Sequence, residues 1–225
     1  MTMSALRSPS TAVDSLDDFA NGRLSVAKHL MLVCQSEISP DIAQEIAFTE
    51  EVSASLMMDS PHSRSLTPEF IGNVLAALPE VRAGVISRND NQNPRLSMAP
   101  PTLRDILGHG LRDMKWRSFI PGVATHDIVG DRAYDGDRLY LMKVKAGMKM
   151  PEHDHNGEEW TLILKGGYRV NGQRFTRGDL HVAYNDNSHA PEIEAGEDCI
   201  CLVMTQGKLK MQSAIGRLLQ PLLGI

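Results

Sequence analysis

Along the 225-residue chain, the period of the hydrophobic positions changes near residue 90. In the segment 40 to 58, Ile42, Ile46, Phe48, Val52 and Leu56 recur at helical spacing, and Phe70, Ile71, Val74, Leu75 and Leu78 do so in 68 to 78. Each segment therefore carries an apolar face, which predicts amphipathic helices. Their starts are punctuated alike. Ser39-Pro40-Asp41 and Thr67-Pro68-Glu69 place a capping hydroxyl before a proline at the first helical position, with an acid in the first turn. Upstream, LDDFANGRLSVAKHLMLVC reads as a short helix, a break at Asn21-Gly22 and a second helix from about Ser25. The first region is expected to be a small helical array. Its apolar faces either close on one another as a bundle or are offered to another protein.

The stretch SRNDNQNPRLSMAPP, 87 to 101, is polar, proline-punctuated and without period, which marks a linker. Beyond it the period falls to two. AYDGDRLYLMKVKAG and TLILKGGYRVNGQRFTRGDLHVAY alternate β-branched and aromatic residues with turn signals, and Asn171-Gly172 between two such runs is a strong hairpin signal. Short antiparallel strands at this pace predict a sandwich or barrel. The fold class expected is α+β, with a helical domain over 1–86, a linker over 87–101 and a β domain over 102–225.

Composition narrows the function classes. At 42% hydrophobic and 23% charged, the chain has the make-up of a folded globular protein. No apolar run reaches the length of a membrane span, and the start MTMSALRSPSTAVDSLDDF lacks the apolar core of a secretory signal, so a cytoplasmic location and no membrane partner are expected. A net charge of -5 supplies no basic field for phosphates, so direct nucleic-acid binding is not expected and any role in transcription would run through a protein partner. Cys199 and Cys201 are two apart on a predicted strand and Cys34 is distant, which suits reduced thiols in a core.

The chemistry concentrates in GMKMPEHDHNGEEWTLILKGG, residues 147 to 167, where imidazoles and acids crowd the mouth of an otherwise apolar strand. On a strand His153 and His155 project from one face, and Glu159 can join them. The Asn-Gly hairpin brings the chain back to His189 in GDLHVAYNDNSHAP. Three imidazoles and a carboxylate form a donor set for zinc, iron, manganese or nickel, and without a cation such a cluster is costly to bury. Glu158 points the other way, toward a salt bridge or solvent. His181 alternates with Leu180 and Val182 and is expected to face solvent or support the ligands, while His62, His109 and His126 carry no signal. Met57, Met58, Met148 and Met150 read as packing residues.

The whole frame resembles a known one. Gly147, five residues, His153-x-His155, three residues, Glu159, six residues and Gly166 match the first cupin motif, and Gly178 with His189 eleven positions on matches the second. Tyr184 and Asp186 depart from it, standing where a proline and a glycine are typical. The chain over 102–225 further resembles the cupin-type C-terminal domain of ChrR-type anti-sigma factors, from LRDMKWRSFIPGV through EDCICLVMT to RLLQPLLGI. LDDFANGRLS, followed by a helix with His29 and Cys34, resembles that family's helical domain.

The resemblance implies a jelly-roll barrel with one divalent metal per chain, zinc first. It also implies an extracytoplasmic-function sigma factor held by the helices, and release governed by the barrel in an oxidative stress response. A homodimer is a further possibility. That family's helical zinc run, HxxxCxxC, is altered here. His29 and Cys34 are five apart, about 140° around a helix, Glu37 stands where the second cysteine would fall, and no histidine precedes His29. A second zinc is not expected there. Two alternatives remain open on the residues alone. One is a cupin dioxygenase holding iron or manganese; the other is a non-enzymatic metal-binding cupin without a sigma partner.

Overall fold

The computed structural model describes residues 10–59, 67–77, 98–129, 137–155, 157–184, 188–206 and 209–211. Most of the expected linker, His62, Leu78, Asp186 and the C-terminal RLLQPLLGI lie outside them. Helices α1 (Ser10–Ala20), α2 (Val26–Ile38), α3 (Pro40–Met58) and α4 (Pro68–Ala77) precede a short α5 (Pro101–Leu107). The break falls at Asn21-Gly22, and Ser25 caps α2 by accepting from the Lys28 backbone N–H. Thr67 caps α4 through the Phe70 N–H. The Ser39 side chain, expected to cap α3, makes no such bond; its backbone N–H instead closes α2 on the Gln35 carbonyl. The residue is shared between two helices, so its geometry serves the end of the first.

Strands β1 (Arg117–Ile120), β2 (Val123–Val129), β3 (Asp137–Val144), β4 (His153–His155), β5 (Glu159–Lys165) and β6 (Gly167–Val170) lead into the second half. They are followed by β7 (Gln173–Thr176), β8 (Leu180–Ala183), β9 (Glu192–Ile193), β10 (Cys199–Gln206) and β11 (Leu209–Met211). The Asn171-Gly172 turn joins β6 to β7 with φ of 49° and 78°, the doubly left-handed geometry that this dipeptide tolerates. The main sheet runs β1-β2-β3-β10-β5-β8, with a second sheet β7-β6-β9 and a pair β11-β4. All the strand pairings are antiparallel.

The central strands β5 and β10 of the main sheet are buried on both faces, which explains why they read as nearly unbroken apolar runs. Tyr140, Ile163, Cys199, Cys201 and Val203 point inward toward the second sheet. Leu139, Leu141, Trp160, Leu162, Leu164, Leu202 and Met204 point outward and share one cluster with Met31, Leu32 and Cys34 of α2 and Leu103 of α5. Helix α2, with α5 beside it, is therefore seated on the outside of the barrel. Polar contacts help fix the seat, among them Gln35 Nε2 donating to the Gly178 carbonyl at 3.1 Å and the Glu37 carboxylate accepting from the Thr102 N–H and hydroxyl at the start of α5.

On α3 only Ile42 and Ile46 are buried. The i, i+4, i+8 stripe Phe48, Val52 and Leu56 is exposed, as are Phe70 and Ile71 of α4. Met57 and Met58, expected as packing residues, are exposed at 70% and 83%. They occupy the last turn of α3, well past its buried residues Ile42 and Ile46.

Candidate metal centre

His153 and His189 are brought together by the backbone. Each donates its N–H to the other's carbonyl at 3.1 Å, a single bridge between β4 and the segment before β9. Their rings stand 4.5 Å apart and tilted. Glu159, the first residue of β5, points inward at them, with its Oε1 3.9 Å from His189 Nε2. All three are buried, and one ligand atom from each lies within 4.8 Å of the others. The backbone of His155 belongs to β4, but its side chain lies outside the described residues.

The partners of these side chains orient them as ligands. His153 Nδ1 lies 2.8 Å from the Pro151 carbonyl; a carbonyl only accepts, so Nδ1 carries the proton and Nε2 keeps its lone pair for a cation. Thr161, two residues along the same face, donates its hydroxyl to Glu159 Oε1 at 3.2 Å. Burial pushes the Glu159 carboxyl up to about 7, only partly opposed by that bond. Burial likewise lowers His153, partly offset by its bond to Pro151, with the His189 ring lowering it further. Both groups are driven toward their neutral forms, the response of titratable side chains taken out of water. A divalent cation reverses that balance, and imidazole with carboxylate suits one. The cluster is able to hold a metal.

Around it lies a cavity of about 90 Å³, walled by Ile120, Met142, Met148, Met150 and Ile193 and reaching His153, Glu159, Thr161, Tyr168 and Cys201. His181 faces this interior rather than solvent. Its Nδ1 meets the Tyr168 hydroxyl at 2.8 Å, its ring packs on Phe175, and burial lowers its pKa to about 4. It supports the site without joining the ligand group. Thr161 was not singled out from the sequence, although strand period two puts it on the face of Glu159; Tyr168 comes from another sheet and carried no sequence signal.

A family model described as the ChrR Cupin-like domain matches residues 107–209. The anti-sigma-E factor ChrR of Cereibacter sphaeroides is 30% identical over 208 residues, 92% of this chain and 93% of that protein. The chain belongs to the ChrR family of anti-sigma factors. The crystal structure of Rhodobacter sphaeroides SigE in complex with the anti-sigma ChrR matches with a TM-score of 0.67 at 29% identity, covering 86% of this chain and 96% of that one. The likeness spans helices and barrel together.

Within this ChrR-family chain, the altered helical run has structural employment. His29 stacks on Phe19 with centroids 4.3 Å apart and planes at 10°. Cys34 is fully buried, its thiol pushed up to about 12 by burial and then by the Glu37 charge. Glu37 grips α5. Among the described residues, His153, Glu159 and His189 form the one group of three or more such ligands close enough to share an ion. Glu158 does point the other way, to Lys28 on α2 at 2.8 Å.

Proposed function

We propose that the chain is an anti-sigma factor whose helices hold an extracytoplasmic-function sigma factor, and whose barrel governs release through a zinc ion held by His153, His155, Glu159 and His189. The observation that carries the first part is the likeness across nearly the whole chain to ChrR, which was crystallised bound to SigE. The exposed stripe of Phe48, Val52 and Leu56 on α3, with Phe70 and Ile71 on α4, supports it. Apolar side chains aligned at i, i+4, i+8 and left uncovered are what a helix-in-groove contact uses.

Zinc is favoured because three imidazoles and a carboxylate complete its four-coordinate shell, leaving a redox-silent ion suited to sensing or structure. In that shell His153, Glu159 and His189 would hold the ion, with Glu159 ionised by it, and the burial of all three would keep competing water out. The relatives favour neither the dioxygenase nor the partnerless alternative.

The test is co-expression with an extracytoplasmic-function sigma factor, sought first among the genes adjoining this chain's own. A complex should purify with the full-length chain and be lost with F48D and L56D, both changes at exposed positions outside the core. Absence of any complex, or one indifferent to both substitutions, would count against the reading.

A further inference from the structure

We infer that Lys28, Glu158 and Trp160 form a clasp that couples the metal-binding cluster to helix α2. The inference rests on reading the cluster as a metal site and the helices as the capture element. Alternation along β5 supplies the geometry: Glu159 enters the barrel, while its neighbours Glu158 and Trp160 leave on the helix side. There Trp160 Nε1 donates to the Glu158 carboxylate at 2.9 Å and Lys28 Nζ donates to the same carboxylate at 2.8 Å. The ammonium also lies 5.3 Å from the centroid of the Trp160 ring. Lys28 is only 15% exposed at its side chain and Glu158 29%, so this pair is screened less than a surface one.

The same corner is pinned by backbone. The Glu158 carbonyl accepts from the Gln206 N–H at 2.9 Å. Gly157, at φ +125°, lies so close that a Cβ there would fall 2.8 Å from the Gln206 Cβ and 2.9 Å from its carbonyl oxygen. Gln206 pairs with Asp137, and Asp137 accepts a hydrogen bond from the hydroxyl of Ser25, the cap of α2. The first turn of α2 and the first residues of β5 therefore share one polar anchorage. Drawing the Glu159 carboxylate onto a cation shifts the backbone that also carries Glu158 and Trp160, and Lys28 follows. Because coupling between two sites is reciprocal, whatever docks on the helices must alter metal affinity by the same factor.

Hydrogen exchange of the full-length chain, chelated and zinc-loaded, tests this at α2, residues 26–38. Loading should slow exchange of α2 by about fivefold or more in the native chain, the lower range of measured couplings. In E158Q, K28M and W160F the slowing at α2 should vanish, while zinc stoichiometry and the slowing at β5 persist; K28R should restore it. Variants that keep the native response overturn the clasp, as does a native α2 indifferent to bound zinc. Failure to bind zinc at all would sink the site reading and the clasp together. Failure to capture a sigma factor would sink the functional proposal while the exchange data still decide the clasp.

Discussion

At the scale of single residues, burial decides what each group can do. Cys34 has its thiol pushed to about 12 from an ordinary 9, so its thiolate fraction at pH 8 is about a thousandfold below that of a free cysteine. Iodoacetamide should leave native Cys34 unmodified at pH 8, and raising the pH to 9 should not rescue the reaction until the protein is unfolded. Leu202 is fully buried on the central strand β10. Leu202→Ala should lower unfolding stability by about 2–5 kcal/mol in chemical denaturation, the cost of a core cavity. For the ligands, elemental analysis should find about one metal ion per chain, lost on His153→Ala, Glu159→Ala or His189→Ala. Unchanged metal content in any of the three would remove that residue from the site.

At the scale of elements, the same amphipathic signal has two fates. Ile42 and Ile46 of α3 are covered and the stripe from Phe48 to Leu56 is not, so substitutions along the helix should divide. Ile46→Ala should destabilise the free chain by about 2 kcal/mol or more, whereas Phe48→Asp should stay within about 0.5 kcal/mol of native. Thermal unfolding of the two variants separates these outcomes. On β5 the alternation of burial has a chemical meaning that a sheet solvated on one face would not have. Odd positions serve the cavity and even positions serve the helices, so neither face tolerates a charge without a partner.

At the scale of the whole molecule, the helices and the barrel are joined by one hydrophobic cluster that includes Met31, Leu103, Trp160 and Leu202. We propose that the chain still divides at 87–101 into a helical part over 1–86 and a cupin part over 102–225, each contributing one side of that contact. The consequence is testable: a fragment beginning at residue 98 should bind 8-anilinonaphthalenesulfonate and self-associate, because its outer face carries Leu139, Leu141, Leu162 and Leu202 with α2 gone. A fragment that stays monomeric and dye-silent would show the contact to be dispensable.

Much of this was legible in the order of residues. The period change, the Asn171-Gly172 hairpin, the helix start near Ser25 and the cap at Thr67 are local signals, set by backbone geometry within a few residues, whereas His189 was joined to His153 and Glu159 by the hairpin return and the cupin frame. Even Glu158 could be sent to the far side of its strand by counting alone. What counting could not supply was the partner on that side. Lys28 lies 130 positions earlier, Tyr168 reaches His181 from a different sheet, and α2 settles on β5 and β10 only because both carry apolar outer faces that need cover. Periodicity says which way a side chain points; the free energy of burying one surface against another decides what it meets.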